Sequence, residues 1–307
     1  MRHFLPYGLA VLAAMASTPA PAQPAPPPTA SPPTVSTPTT GAFLNITPRR
    51  LTFDRARRNG TVFILNQGTE PVTVDLAIGD RVMLPDGQIF PAEDAARRAD
   101  GQAAAAQLKS ARDLMQVSPR RVTLQPGRPQ TVRLRIGSLP DPASGEHRSH
   151  LTVTTIPPRE AGTTPEAAAA GVQNQLSFQI VAVYGLSIPL IVRPGETDVR
   201  ATIEGGRVEL AAPSSTRPQD KPTPMATFDL VRQGSSSAYG NFEVQTVGAR
   251  RGAEPLGAVR GVAVYPEIAR RAVRIPLSRM PAPGERLEVT FTDDDTSPGK
   301  VIAKAVF

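Results

Sequence analysis

The sequence predicts an all-β protein built from two β-sandwiches. Apolar residues recur at every second position in many short stretches, and Gly and Pro residues separate these stretches. A period of two places alternate side chains on the two faces of a strand, while Gly and Pro mark turns. The chain has 307 residues, which is enough for two domains of ordinary size.

The start of the chain predicts export. Residues 1–22 combine a short basic start, an apolar stretch and a small-residue Ala-Pro-Ala site, the pattern of a secretory signal peptide cut after Ala22. A membrane anchor is the alternative, but the apolar stretch is short for a span and contains Pro6 and Gly8. Residues 23–41 are almost wholly Pro, Ala, Ser and Thr and predict a disordered tether.

Residues 42–195 are predicted to form the first domain. Its strand signals stand at 43–47, 51–53, 61–66, 72–78, 115–118, 121–124, 131–136, 150–155 and 176–192. Their number and spacing are typical of a sandwich of immunoglobulin type. The strand at 51–53 is expected to continue the first strand beyond Pro48. Residues 93–113 are rich in Ala, Arg and Lys and predict a short helix or mobile insertion, broken near Gly101.

Residues 196–307 are predicted to form a second, smaller sandwich. The Arg-Pro-Gly sequence at 193–195 is a natural hinge before it. Strand signals follow at 199–202, 207–210, 226–232, 241–246, 261–264, 272–276, 286–291 and 301–307. A polar, Pro-rich loop is expected at 213–224.

The stretch at 176–192 is the most informative part of the chain. Every even position is apolar or aromatic and no charged residue interrupts it. It could be a long central strand, covered on both sides, or a strand near a sheet edge. Pro189 favours the edge, because proline cannot donate to a ladder. A charge-free open edge is a place where another strand can pair.

Motifs for chemistry are missing from the sequence. There is no Cys, which excludes disulfides, thiolate zinc sites and Cys nucleophiles. His147 and His150 are three apart, on opposite faces of a strand. The Asp run at 293–295 lacks the spacing of a calcium loop and is interpreted as a solvated turn. These observations predict a non-enzyme without metal or cofactor. The net charge of +7 is scattered without interleaved aromatic residues, which argues against a nucleic-acid partner.

Four stretches resemble, in order, the PapD-like periplasmic chaperones of pilus and fimbria assembly. They are Ile-Thr-Pro-Arg-Arg-Leu-Thr-Phe at 46–53, Val-Ser-Pro-Arg-Arg-Val-Thr-Leu-Gln-Pro-Gly at 117–127, Gly-Glu-His-Arg-Ser-His-Leu at 145–151, and residues 186–194. The resemblance covers 43–195, and beyond that only domain order and size agree. It implies two immunoglobulin-like domains arranged as a boomerang. It also implies a long strand that lends apolar side chains to a pilus subunit lacking its own last strand.

The resemblance also implies subunit-binding residues. The donor positions fall on Phe178, Ile180, Ala182 and Tyr184. Arg50, by its spacing to Phe53, matches an Arg that anchors the carboxyl terminus of the subunit. The Lys that completes this anchor in the family falls on Pro189, so a two-cation anchor does not carry over. Arg193 or Arg49 could replace it.

The sequence therefore predicts a non-catalytic periplasmic chaperone. It would bind pilin-like subunits by strand donation and deliver them to an outer-membrane usher-type pore. The alternative is an extracytoplasmic scaffold or adhesion module that traps no subunit. An open edge could also pair with a second copy of the chain. A hydrolase or metal enzyme would require a pocket converging on His147, His150 and an acid.

Overall fold

A computed structural model describes residues 44–157, 183–213, 219, 221–250 and 252–307. It shows two β-sandwiches and two short helices, which confirms the predicted fold class. Within these ranges no helix is long and apolar enough to cross a membrane. The predicted signal peptide and tether, and the first part of the 176–192 stretch, lie outside the described residues.

The strands up to the end of the first sandwich are β1 (Leu44–Thr47), β2 (Leu51–Phe53), β3 (Asn59–Asn66), β4 (Val72–Gly79), β5 (Arg81–Met83), β6 (Ile89–Pro91), β7 (Met115–Ser118), β8 (Arg121–Leu124), β9 (Pro129–Ile136), β10 (His147–Ile156) and β11 (Gly185–Val192). The sandwich contains two sheets, with strand orders β1-β3-β9-β7 and β2-β11-β10-β4-β8. Buried apolar side chains from both sheets, such as Val62, Ile64, Leu151 and Leu190, form one core between them.

The expectation that residues 51–53 continue the first strand is wrong. β1 pairs antiparallel with β3 in one sheet, whereas β2 pairs parallel with β11 in the other. Pro48 stands at the change and has no N–H to offer either ladder. The chain therefore crosses between the two sheets at residues 48–50, and this crossing brings Arg49 and Arg50 to the side of the second sandwich.

An insertion between β4 and β7 bridges the two sandwiches. It contains the β5–β6 hairpin and helices α1 (Ala92–Ala96) and α2 (Gln102–Gln107), with Gly101 between the helices as predicted. The two strands of this hairpin have three residues each and were not among the predicted strands. Val82, Met83 and Ala95 are buried in the core of the second sandwich, not in that of the first.

The strands of the second sandwich are β12 (Ala201–Ala211), β13 (Thr223–Arg232), β14 (Ala238–Thr246), β15 (Gly257–Val264), β16 (Arg270–Pro276), β17 (Leu287–Asp293) and β18 (Val301–Val306). They form two sheets, with strand orders β12-β13-β16 and β15-β14-β17-β18. Phe242 lies in the core, and its ring centroid is 5.0 Å from that of Phe228 and 4.3 Å from that of Phe291.

The prediction of two separate strands at 199–202 and 207–210 is wrong. Residues 201–202 and 207–210 lie in the single strand β12, whose pairing with β13 shifts between Glu204 and Arg207. Gly205 sits in this interval with a φ of 65°, so the strand bulges without ending.

Candidate functional site

The first half of β11 lies at the edge of a sheet. β10 pairs with the whole of β11, residues 185–192. On the other side, β2 pairs only with Leu190, Ile191 and Val192. In the part of the chain that the structure describes, no strand covers the second side of residues 185–189.

Two hydrogen bonds show which backbone groups face this open side. The N–H of Thr155 donates to the carbonyl of Tyr184 (2.9 Å), so Tyr184 faces β10. The N–H of Arg193 donates to the carbonyl of Phe53 (2.8 Å), so Arg193 faces β2. Since direction alternates along a strand, the odd-numbered residues of β11 point their N–H and C=O groups away from β10.

Gly185 and Ser187 are the residues whose backbone N–H and C=O groups face the open side, and no described strand pairs with them there. The carbonyl of Pro189 faces the N–H of Leu51, the first residue of β2. Pro189 pairs with His150 at a position where no ladder bond is made. The proline therefore costs β11 no bond to β10 and removes one donor from the open side.

The side chains of β11 divide between the two faces as the alternation predicts. Ile188 and Leu190 are buried in the first core, and Leu186 packs against it. Tyr184, just before the strand, is 44% exposed, and its neighbour Val183 is 58% exposed. The other predicted donor positions, Phe178, Ile180 and Ala182, lie outside the described residues.

The predicted anchor Arg50 lies between the two sandwiches. Its Nη2 donates to Oδ2 of Asp295 (3.0 Å) and to Oγ of Ser237 (3.1 Å), and only 8% of the side chain is exposed. The guanidinium carbon is 4.8 Å from the ring centre of Tyr239 and 5.9 Å from that of Tyr265. Nε and Nη1 are buried and have no acceptor within the described ranges.

Arg193 shares the same carboxylate. Its Nη2 lies 2.8 Å from Oδ2 of Asp295, and its Nε donates to Oε2 of Glu146 (2.9 Å). The structure thus brings two of the predicted site residues, Arg50 and Arg193, onto one oxygen atom. The cluster contains two arginines and two carboxylates, so its formal net charge is zero.

The pKa values of Asp295 and Arg193 are both shifted in favour of the charged form. Burial works against the charged form of Asp295, but Arg50 and Arg193 hold its pKa below the ordinary value. Burial likewise opposes charge on Arg193, yet Glu146 and Asp295 raise its pKa. Opposite charges within a few ångströms favour ionisation of each other.

The interpretation of residues 293–295 as a solvated turn holds for Asp294, which is exposed, but is wrong for Asp293 and Asp295. Asp293 is 4% exposed, and its carboxylate accepts from the N–H groups of Asp295 (2.8 Å), Thr296 (3.2 Å) and Ser297 (2.9 Å). This arrangement holds Asp295 toward the arginines. The sequence alone could not show the contact, because Arg50 and Asp295 are 245 positions apart.

A second buried ion pair, Arg148 with Glu267, also joins the sandwiches. The two side chains are 2% and 1% exposed. Oε1 of Glu267 also accepts from the N–H of Met83 (3.1 Å), and Nη2 of Arg148 donates to the carbonyl of Arg81 (2.8 Å). Arg148 lies 4.0 Å from the ring centre of Tyr265. The insertion and both sandwiches therefore meet at this pair.

The two histidines have different surroundings. His150 is 1% exposed beside Arg148, and burial, followed by the nearby Arg148, Arg81 and Arg50, holds its pKa well below the ordinary 6.5. His147 instead contacts Oγ of Ser144 (2.9 Å) and the carbonyl of Ser110 (3.2 Å).

A groove of about 550 Å³ runs beside β2. Its lining includes Arg49, Arg50 and Arg57 from the first sandwich and Tyr239 and Asp294 from the second. Arg49 and Arg57 are exposed. The groove is therefore a place where an anionic group can approach Arg50.

Comparisons with known proteins do not show a family for this chain. No protein-family model matches the chain, and no curated protein matches it. Among solved structures it is similar to the E. coli chaperone DraB, with 13% identity and a TM-score of 0.42 over 87% of this chain and 96% of that chain.

Two further similar structures contain a second protein. One is the SafB chaperone of Salmonella enterica in complex with the SafA pilin, with 13% identity and a TM-score of 0.41 over 88% of this chain and 97% of that chain. The other is the CsuC–CsuE chaperone–tip subunit complex of Acinetobacter baumannii, with 14% identity and a TM-score of 0.39 over 87% and 97%. At identities and TM-scores of this size, the function of the chain has to be argued from its own residues.

Proposed function

We propose that this protein is a periplasmic chaperone that binds pilus or fimbrial subunits by pairing a strand with the open edge of β11. The single observation that carries the proposal is this edge. Residues 185–189 have β10 on one side only, and the apolar alternation predicted at 176–184 leads directly into them. An incomplete partner sheet can add a strand at such an edge.

Energetics favour a role for the side chains as well as the backbone. Gly185 and Ser187 each offer an N–H and a C=O on the open side. A net contribution of about 0.5–1.5 kcal/mol per hydrogen bond gives only a few kcal/mol. Burying a large apolar side chain contributes about 1.5–3 kcal/mol. The row at Phe178, Ile180, Ala182 and Tyr184 is therefore the proposed main source of affinity.

The remaining parts of the proposal rest on the sequence. The pattern at residues 1–22 supports export to the periplasm. The resemblance over residues 43–195 supports pilin-like subunits as cargo and an outer-membrane usher-type pore as the receiving partner. Arg50 and Arg193 are proposed to lie next to the end of the bound strand.

The charge balance between the sandwiches favours a second candidate, a two-sandwich extracytoplasmic scaffold. Arg50 and Arg193 are both paired with carboxylates of the protein itself, and Pro189 stands where a second free cation is expected. A chain that traps no subunit would need no free cation there. The edge of β11 would then serve no partner.

A matched pair of edge variants tests the proposal. Ser187→Pro removes a donor that faces the open side, whereas Pro189→Ala adds one. The probe is a soluble synthetic peptide of alternating valine and threonine with two lysines at its N-terminus, followed by NMR of the backbone amides of β11. Ser187→Pro should weaken binding by about 3- to 10-fold, the value of one hydrogen bond, while Pro189→Ala should not weaken it.

The outcomes separate the two candidates. Perturbation confined to Gly185, Ser187 and their neighbours, with the stated order of affinities, supports strand addition. The scaffold is favoured if the amide resonances of this edge do not move in the correctly folded wild-type protein. The peptide is titrated up to the concentration that saturates a control strand-binding protein.

A further inference from the structure

Asp295 stands where the end of a bound strand would arrive. β2 runs parallel to β11, with Leu51 opposite Leu190. A partner strand that fills the open side of residues 185–189 and runs in the same direction must stop where β2 begins. Its carboxyl end then lies beside Arg50, the residue before Leu51. In the free protein, a carboxylate oxygen of Asp295 already contacts Arg50 at 3.0 Å.

The contact between Arg50 and Asp295 is incomplete on the arginine side. Arg50 uses only Nη2, while Nε and Nη1 are buried without acceptors among the described residues. A guanidinium can bind a carboxylate through two parallel hydrogen bonds, and this geometry is stronger than a single contact. Arg50 therefore has donors, Nε and Nη1, that Asp295 does not use and that a second carboxylate could bind.

Asp295 does not depend on Arg50 alone. Its Oδ2 also lies 2.8 Å from Nη2 of Arg193, and its Oδ1 accepts from Oγ1 of Thr52 (3.2 Å). If Arg50 turned toward the groove, Asp295 would keep these two partners and remain a paired charge. The exchange thus leaves no isolated buried carboxylate, which would be costly.

We propose that Asp295 is a resident carboxylate that holds Arg50 in the free protein and gives it up to the carboxyl terminus of a bound strand. This inference rests on the proposed strand addition and concerns its regulation. Because Asp295 belongs to the second sandwich, the exchange removes one contact between the sandwiches. Binding at the β11 edge is thereby coupled to the junction between them, and the coupling must act in both directions.

Asp295 and the carboxyl terminus of the bound strand compete for Arg50. Asp295 is tethered beside Arg50, so it acts at a high effective concentration against any incoming carboxylate. Removing its charge removes the competitor. Asp295→Asn should therefore tighten binding of a strand with a free carboxyl end and should not affect the same strand when its end is amidated.

The experiment compares two probes on three proteins. The probes are the alternating valine–threonine peptide with a C-terminal carboxylate and its C-terminal amide. The proteins are wild type, Asp295→Asn and the control Asp113→Asn, which removes the same charge from an exposed side chain that does not line the groove. We expect about 5- to 10-fold tighter binding of the free-acid peptide by Asp295→Asn alone.

A measurement on the wild-type protein covers the case in which Asp295→Asn does not fold. The Nε–H resonance of Arg50 should move when the free-acid peptide binds and stay in place with the amide. The inference is overturned if Gly185 and Ser187 respond to both peptides while Arg50 does not distinguish them. It is equally overturned if Asp295→Asn strengthens both probes alike. If neither probe perturbs the β11 edge of any folded protein, strand addition itself fails.

Discussion

Single buried residues determine how the two sandwiches meet and how stable each one is. Arg148, His150 and Arg193 all belong to the first sandwich, and all three are buried at the junction. A buried charge destabilises a protein unless it is paired. Each arginine has its acid, Glu267 or Glu146, whereas the charged side chains that lower the pKa of His150 are all arginines. His150 should therefore be neutral when the protein is folded.

The first prediction concerns His150 and pH. Since its pKa is depressed in the folded protein, the unfolded chain binds a proton below pH 6.5 that the folded chain does not. The free energy of unfolding should then fall as the pH drops from 7.5 to 5.5, by about 1 kcal/mol. Urea unfolding at both pH values checks this. His150→Gln should abolish most of the decline, while His147→Gln should retain it; an undiminished decline in His150→Gln would contradict the assignment.

The second prediction concerns Phe242. Its ring is completely buried between Phe228 and Phe291, so Phe242→Ala removes a large side chain and leaves a cavity. The expected loss in the free energy of unfolding is about 3–5 kcal/mol. Phe63→Ala, at a position that is 48% exposed on β3, is the matched control and should change stability little. Denaturant unfolding measures the free energy of unfolding of both variants. Equal losses would show that the aromatic cluster around Phe242 does not form a core.

At the scale of elements, the insertion between β4 and β7 is the part that departs most from a simple sandwich. The carbonyl of Pro85, in the turn of its hairpin, accepts from the N–H of Ala272 on β16 (2.7 Å). Gly87 closes that turn with a φ of 88°. A Cβ at Gly87 would lie 2.5 Å from Nε of Arg271. The hairpin therefore reaches the second sandwich through a turn that only glycine fits.

The third prediction tests this turn. Gly87→Ala should cost about 2–4 kcal/mol, because a positive φ strains alanine and Arg271 must leave its bond to the carbonyl of Ala263. Gly127→Ala is the matched control, since Gly127 has a φ of 67° with no atom within 4 Å of the added Cβ. It should cost about 1–2 kcal/mol, the strain alone. Thermal unfolding compares the two, and a smaller loss for Gly87→Ala would contradict the close packing.

Sequence alternation predicted strands well but not the partners of strands. The stretches at 115–118 and 121–124 were placed to the residue, because their pattern is local. The change of sheet between β1 and β2 was missed, since pairing with β3 or β11 depends on residues far along the chain. The strand β12 was divided in two because Gly205 and Gly206 imitate a turn.

The candidate site was predicted in the same uneven way. Arg50 and Arg193 were predicted as subunit-binding residues from a resemblance in short motifs, and Pro189 favoured the edge position of β11. Asp295, which lies between the two arginines, was read as solvated. An acid in a turn carries no local sign that it will meet a cation from another sandwich.

On the scale of the whole molecule, the open edge and the junction between the sandwiches are parts of one arrangement. The chain that ends the open edge, at residues 48–50, is also the chain that carries Arg50 into the junction. Ile191 of β11 is buried in the core of the second sandwich. A partner that pairs with the first half of β11 therefore acts directly on a strand that both sandwiches share.

The fourth prediction concerns whether the two sandwiches unfold together. Glu267 on the second sandwich is the common acceptor for Arg148 of β10 and the N–H of Met83 in the insertion. Glu267→Gln keeps the size of the side chain but leaves Arg148 as a buried charge without a counter-ion. Breaking one partner of a buried pair costs about 3–5 kcal/mol. Because the cost falls on the junction and not on either core, we expect the sandwiches to unfold separately in the variant.

Differential scanning calorimetry measures this directly. Wild type should show one transition, since the second core contains Val82, Met83 and Ile191 from the first half of the chain. Glu267→Gln should show two transitions, or one transition with a calorimetric enthalpy well above the van't Hoff value. The control is Lys304→Ala, which removes an ion pair with Glu288 on the surface of the second sandwich and should preserve the single transition. A single, merely shifted transition in Glu267→Gln would mean that the apolar contacts of the insertion, and not the ion pair, join the sandwiches.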